Sequence, residues 1–469
     1  MSEDRKKRLV FCFDGSWNKI DAPFPTNVLF TAESVLPLTE DGIAQVIFYD
    51  EGVGTEKGEE FKGGAFGAGL LKNLNDAYRT LIFNYTPGDD IFVFGFSRGA
   101  FTARSFVGLL SHSGILRRRD VGRVNEAVEL YRQRNTSNEH IERMFRFRSE
   151  SAPHICVSDE EDAWRAKSLA DYVPNALPRL KVKYLGVWDT VGSLGVPNYL
   201  AGAAQLNREH QFHNFELSAI VESARHAVAI DEPRLDFSPT LWDNLVALND
   251  ARGADPADEK SPYQQVWFPG VHGAVGGGGD RRGLSDQPLD WIWDGARNAG
   301  LELDISKSSR IYELAPDHRD NLENASEKKP ENVKEWLIQL GFGLLPEGVR
   351  NPGPQNLYEV SVSARRRWHD LPENLPEKTP YRPESLETVS QALNGLDLSA
   401  LGMTAGGIEA VPENFIVHEV KQGEWLSTLA QMYYGDAALW PRIFAANKYK
   451  VYDPDRIYPG QALRIPQDY

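Results

Sequence analysis

Hydrophobic positions fall in short blocks between polar turns, and their spacing alternates between two periods. Arg8 to Phe13 (Arg-Leu-Val-Phe-Cys-Phe) is a compact apolar run that reads as a strand, closed by the polar turn Asp14-Gly15-Ser16-Trp17-Asn18. Val46 to Tyr49 reads as a second strand, with the glycine-bearing Glu51-Gly52-Val53-Gly54 after it, and Glu56 to Gly69 reads as loop. From Leu70 to Tyr85 the period becomes helical, with Leu74, Ala77, Tyr78, Leu81, Ile82 and Tyr85 on one face. Thr86-Pro87-Gly88-Asp89 stops that helix, and Ile91 to Phe96 is another buried-strand run. Ala100, Phe101, Ala103, Phe106, Val107, Leu109 and Leu110 then predict a helix that is apolar on much of its surface. Strand–helix–strand–helix order predicts an α/β fold, a mostly parallel sheet covered by helices.

The pattern loosens over about 114–180, where charged residues dominate and apolar runs are few. This stretch reads as a helical insertion over the sheet edge or the active site, in the position of a lid. Leu180 to Trp188 returns to strand, Phe215 to Ala229 reads as a helix, and Gln264 to Phe268 reads as strand. Pro288 to Gly300 reads as helix, as does a piece near Trp336 to Leu340, and Tyr358 to Val362 reads as a last strand. A short helix fits Ser385 to Leu396. Phe415 to Val420, Trp425 to Tyr434, Leu439 to Lys448 and Gln461 to Ile465 then read as strand, helix, helix, strand, a self-contained C-terminal unit.

Gly95-Phe96-Ser97-Arg98-Gly99 is a G-x-S-x-G motif set between an apolar strand and a helix, the context of a nucleophile elbow. The serine sits on a sharp turn, and side chains two positions either side would meet the adjoining strand and helix. The Arg98 N–H then faces the point where an oxyanion forms, at a helix N-terminus. A nucleophilic serine needs a base within reach and an acid that orients the base. Asp189, after the Val-Trp strand end, and His272, in the glycine-rich loop after Val266-Trp267-Phe268, follow in the order serine, acid, base. His226 is the rival base, placed inside an apparent helix. His112, about four turns along the helix from Ser97, is too distant. Asp231, Asp236 and Asp280 are rival acids. The second oxyanion donor falls to the Asp14-Gly15-Ser16 loop, through the N–H of Gly15 or Ser16, with Asp14 orienting the loop.

Composition narrows the picture further. At 469 residues, 41% of them hydrophobic and 25% charged, the chain has the length and apolar content of a large globular core with a further module. A formal charge of −16 argues against nucleic acid and against adsorption to anionic membranes. Cys12 and Cys156 read as buried small hydrophobes rather than a disulfide framework. The glycines 276–279 lack the G-K-[ST] ending of a phosphate loop, and neither H-E-x-x-H nor clustered Cys/His spacing indicates a metal or other cofactor. The charged N-terminus carries no signal-peptide pattern, and no apolar run is long enough to span a membrane. The expectation is a protein made in the cytoplasm and, if exported, delivered by another route.

Taken together, Phe-Cys-Phe-Asp14-Gly15-Ser16-Trp-Asn18, Gly95-Phe-Ser97-Arg-Gly-Ala, Val187-Trp-Asp189-Thr-Val-Gly and Phe268-Pro-Gly-Val-His272 resemble the catalytic domain of type VI secretion phospholipase effectors, an α/β-hydrolase family. The resemblance spans about residues 7–385. It implies a Ser97–Asp189–His272 lipase acting on glycerophospholipid acyl esters, with secretion-apparatus and immunity partners and delivery to a target-cell periplasm. The family pattern has a serine and an aspartate directly after the histidine, whereas this chain has Gly273 and Ala274. Residues 414–468 resemble a LysM module, through Val420-Lys-Gln-Gly-Glu-Trp, Tyr433-Tyr-Gly-Asp and Ile457-Tyr-Pro-Gly-Gln-Ala-Leu-Arg-Ile-Pro. That implies binding to N-acetylglucosamine glycans such as peptidoglycan. The expected organisation is a catalytic domain over 1–385, a linker over 386–413 and a LysM-like domain over 414–469. Two other readings stay open: an esterase for a small soluble or wall-linked ester, and a non-catalytic scaffold.

Overall fold

The computed structural model describes residues 6–15, 18, 20–52, 65–133, 137–192, 216–304, 309, 314–325, 348–350, 352–401, 403, 415–421, 423–447, 451, 454, 457 and 461–467. The helix expected near Trp336 lies outside them. Two compact units share the chain: Met1–Ala227 with Asp236–Gln265 and Ile292–Glu302, and Val228–Leu235 with Val266–Trp291 and Leu303–Tyr469.

The main sheet has six strands: β1 (Arg8–Phe13), β2 (Gln45–Asp50), β3 (Asp90–Phe96), β4 (Tyr184–Trp188), β5 (Ala224–Ala229) and β6 (Tyr263–Phe268). Their order is β2-β1-β3-β4-β5-β6, with every step from β2 to β5 parallel. Parallel central strands are covered on both faces, so they read as continuous apolar runs. Accordingly Leu9 to Phe13 are all buried. Helices α1 (Asn27–Ser34), α2 (Ala65–Asn84) and α3 (Arg98–Ser113) accompany the first three strands. On α2 the residues Leu70, Leu74, Ala77, Tyr78, Leu81 and Ile82 form the inward face, and on α3 the Phe106 ring lies 4.8 Å from that of Phe11. Helix α2 begins at Ala65, earlier than the expected loop end at Gly69. Its glycines cost about 1 kcal/mol each in helix propensity, which the packed face from Leu70 onward offsets.

Two segments differ from the sequence expectation. Residues 224–229 form β5, not the end of a helix over 215–229, and all six are buried. Small residues suit a strand inside a sheet, and the two polar ones are satisfied there. Arg225 meets Asp294 at 2.8 Å, while His226 bonds to Thr190 and Gln265. Tyr358 to Val362 is not a strand either. Leu357–Glu359 is a 3₁₀ turn, Val360 makes one bridge to Trp267, and Ser361 caps the helix Val362–His369 by accepting the Ala364 N–H.

The insertion contributes α4 (Val124–Arg132), α5 (Asn138–Ser151) and α6 (Asp159–Ser168). Ser113 Oγ donates to the Ala127 carbonyl, and Arg148 Nη1 donates to the carbonyls of Ser111 and His112. These helices therefore dock on the C-terminal end of α3. Sixteen helical residues separate that end from Ser97, about 24 Å, so these contacts do not place them as a lid over the serine. Glu161 sits at their centre, fully buried, ion-paired with Arg148 at 3.0 Å and accepting from Arg165 Nη2 at 2.6 Å.

At the C-terminus β7 (Phe415–Glu419) pairs antiparallel with β8 (Ala462–Pro466) around the helices Leu426–Tyr434 and Trp440–Asn447, the expected order. Val420, Leu426, Leu429, Ile443, Leu463 and Ile465 form the core of this module. Cys12 and Cys156 are free and buried. Among the described residues no helix is long and apolar enough to cross a membrane.

Candidate active site

Ser97 joins β3 to α3 with φ 58° and ψ −124°, a left-handed backbone that a non-glycine residue adopts only under strain. The flanking glycines make the turn feasible. A Cβ on Gly95 would lie 2.6 Å from the Gly99 carbonyl oxygen, and one on Gly99 would lie 2.2 Å from that of Phe13. The Ser97 N–H donates to the Trp188 carbonyl at 3.0 Å, and its carbonyl accepts from Val191 at 3.4 Å. The ends of β3 and β4 thus bring Ser97 beside Asp189. Asp189 is fully buried, has φ 38°, and donates its N–H to Ala227 at 2.7 Å. Arg98 opens α3, and desolvation pulls its guanidinium down to about 10.

The loop after β1 stands against the same turn. Asp14 is buried and accepts from the Gly15 N–H at 2.6 Å, Asn18 Nδ2 at 3.2 Å, Thr26 Oγ1 at 2.5 Å and Tyr49 OH at 2.8 Å. It braces the loop with every acceptor direction used. The Gly15 N–H is thereby committed to Asp14 and is not aimed at an oxyanion, while Ser16 lies outside the described residues. Burial raises the Asp14 carboxyl to about 6, against the pull of those four donors. Because the folded value exceeds the unfolded one, this carboxyl favours folding below the unfolded pKa and loses that contribution as pH rises through about 6. Asp14→Asn is therefore expected to gain on the parent by on the order of 2–3 kcal/mol between pH 4 and 7, whatever its fixed offset. Urea unfolding of both proteins across that range measures it.

His226, the rival base, is a structural histidine. The Thr190 N–H donates to its Nε2 at 3.2 Å, so Nδ1 carries the proton and donates to Gln265 Oε1 at 2.9 Å. It fixes the turn that carries Asp189. His112 lies near the end of α3 with Nδ1 2.8 Å from the Gly108 carbonyl. A cavity of about 340 Å³ lined by Arg104, Val107, His112, Leu185 and Trp242 lies along the later turns of α3 and the start of β4, away from Ser97.

His272 belongs to the second unit, where it starts the short helix His272–Gly276 after β6. Its N–H donates to Glu232 Oε2 at 3.1 Å, and the Gly270 N–H donates to Asp231 Oδ2 at 2.6 Å. Asp231, a rival acid, also accepts from Tyr381 OH at 2.8 Å, and burial raises it to about 6. Burial works to raise Glu232 too, but the Arg234 guanidinium and His272 hold it below the usual range. Asp280 is exposed, and the side chain of Asp236 is not described. A Cβ on Gly273 would lie 2.6 Å from Asn324 Oδ1, so Asn324 fills the space a serine there would need. Ala274 packs with Val271, Leu284 and Leu322 instead of presenting a carboxylate. Asn324 Nδ2 donates to the Gly277 carbonyl at 3.1 Å. The structure thus brings Ser97 and Asp189 together in one unit, and His272 and Glu232 in the other. Glu232 was missed in the sequence because its contact is to a backbone group 40 residues away.

Residues 7–295 match the family model of the type VI secretion phospholipase effector Tle1-like catalytic domain, over more than half of the chain. The chain belongs to that family. Residues 418–466 match the LysM domain. Among curated proteins, an uncharacterised protein of Saccharomyces cerevisiae is 25% identical over 248 residues, 49% of this chain and 32% of the relative. A potassium binding protein of Escherichia coli is 49% identical over 51 residues, 11% of this chain and 34% of the relative. An uncharacterised protein of Deinococcus radiodurans is 36% identical over 88 residues, 18% of this chain and 34% of the relative. The chain thus spans about a third of the length of the curated relatives it matches. Among solved structures, an uncharacterised Pseudomonas aeruginosa protein aligns at TM-score 0.36 and 16% identity, over 97% of this chain and 75% of that one. The Tle1 effector bound to the VgrG spike aligns at TM-score 0.30 and 18% identity, over 58% and 51%. Those two likenesses are too distant to bear on what this Tle1-like chain does.

Proposed function

We propose that this Tle1-like chain is a serine ester hydrolase that cleaves acyl esters of glycerophospholipids. Ser97 attacks the ester carbonyl. His272 takes the serine proton and passes it to the leaving alcohol, and Asp189 holds the imidazole tautomer. The N–H groups of Arg98 and of Ser16 hold the oxyanion, since that of Gly15 is engaged by Asp14. The observation that carries this reading is the strained Ser97 turn between two sterically required glycines, in a chain of this family. The catalytic domain extends over 1–385, and a linker over 386–413 leads to the LysM-like domain over 414–469. That domain binds peptidoglycan-type glycan and raises local concentration by tethering. The family supports delivery through a type VI apparatus, and the proposal includes an immunity partner that restrains the enzyme in the producing cell.

The test is fatty-acid release from phospholipid vesicles beside hydrolysis of a soluble p-nitrophenyl ester. Release from vesicles supports the lipase reading. The charge of −16 favours a second reading, a soluble ester substrate, and hydrolysis of the soluble ester alone would establish it. For the glycan, Trp425 is 55% exposed at the start of the first LysM helix. Trp425→Ala is expected to weaken cosedimentation with purified peptidoglycan about tenfold, while ester hydrolysis stays at the parent rate. Equal cosedimentation would remove that residue from the interaction.

A further inference from the structure

We infer that Asp231 and Glu232 are positioning residues that clamp the histidine loop by its backbone, an inference that rests on the proposed role of His272 as base. The two carboxylates follow β5 directly, and each takes an N–H from the loop after β6. Asp231 Oδ2 accepts the Gly270 N–H at 2.6 Å, and Glu232 Oε2 accepts the His272 N–H at 3.1 Å. Between them the Val271 N–H donates to the Leu322 carbonyl at 3.0 Å, and the Asp231 N–H returns to the Gly270 carbonyl at 3.2 Å. Every N–H from Gly270 to His272 is therefore held. Gly270 has φ 106°, a backbone that glycine adopts without strain.

Both carboxylates are themselves held. Arg234 donates its backbone N–H to Glu232 Oε1 at 3.0 Å and its Nη2 to Oε2 at 2.8 Å. Tyr381 donates its hydroxyl to Asp231 at 2.8 Å. The Arg367 guanidinium stands 5.2 Å from the Tyr381 ring and donates to both oxygens of Glu377. Arg367 and Tyr381 lie beyond the residues 7–295 that match the family model. The chain after 295 thus supplies part of the support for this loop.

Hydrogen bonds from a neutral N–H to a carboxylate are about twice as strong as those to a neutral acceptor. With its backbone fixed, His272 retains only its side-chain torsions. Angstrom-scale misplacement of a catalytic group costs about 100-fold in rate, which sets the size of the expected effect.

The experiment compares Glu232→Ala, Glu232→Gln and His272→Ala, with melting curves on each. Glu232→Ala is expected to lower kcat about 100-fold with KM within about threefold. Glu232→Gln keeps an oxygen for the His272 N–H and is expected to recover all but about fivefold of that loss. In the His272→Ala background, Glu232→Ala is expected to cost less than about twofold more, because it acts through the histidine. A kcat within about threefold of the parent in Glu232→Ala, or a full second loss in the double variant, overturns the inference. Should Glu232→Ala fail to fold, Tyr381→Phe decides through the neighbouring carboxylate. It is expected to lower kcat about fivefold with KM unchanged, and parental kcat overturns the clamp. Full activity in His272→Ala alone would sink the base assignment instead, a result distinguishable from each of these.

Discussion

Ser97→Ala is expected to lower kcat/KM for a soluble ester and for phospholipid vesicles by roughly 10⁵-fold, about 7 kcal/mol of barrier. No other hydroxyl occupies the elbow, so the loss has no substitute. The variant keeps the parental melting temperature, because alanine occupies the same strained backbone as serine. Ser97→Gly relieves that strain and is expected to melt higher, by about 1 kcal/mol of added stability, while remaining inactive. A fluorophosphonate probe should label the parent at Ser97 and leave both variants unmodified, as read by peptide mass. Parental turnover by Ser97→Ala would remove the serine from the mechanism.

Glu161→Ala carries the largest expected loss of stability. The carboxylate is fully buried and lies between two guanidiniums that are each about 2% exposed, Arg148 and Arg165. It also accepts the Val157 N–H at 2.9 Å. Removing it leaves two cations facing each other without their anion. Breaking a buried ionic cluster in this way costs about 3–5 kcal/mol. Arg148 also bonds the carbonyls at the end of α3, so the insertion and that helix should loosen together. Scanning calorimetry is expected to show a fall in melting temperature on the order of 10 °C. Glu161→Gln keeps the shape without the charge and should fall between the two. A melting temperature unchanged in Glu161→Ala would mean that the buried cluster adds nothing to stability.

Elements that declare themselves locally were legible in the sequence. β1 and β3 are uninterrupted apolar runs, and the Ser97 turn carries its glycines beside it. The C-terminal module is short enough for its spacing to fix its order. β5 was not legible, because Ala-Arg-His-Ala-Val-Ala places two polar side chains in a buried strand. Their partners, Asp294 for Arg225 and Gln265 for His226, lie 69 and 39 residues away. The strand expected at Tyr358 to Val362 has the β-favouring residues of one, yet the Ser361 cap starts a helix after a single bridge. The motif and strand ends brought Ser97 and Asp189 to notice as candidates. Asp231 came to notice only as a rival acid, and Glu232 and Asn324 not at all. Asp231 and Glu232 act on backbone groups, which carry no residue identity, and Asn324 fills a space that only the folded chain defines.

That filled space fixes the order in which substitutions can accumulate. With Asn324 in place, any side chain at 273 must evict it from its bond to the Gly277 carbonyl before it can settle. Trimming position 324 first opens a path by which a serine can enter at 273, whereas the reverse sequence passes through a disrupted intermediate. A library that varies the two sites jointly should therefore recover functional pairs that one-at-a-time screening discards.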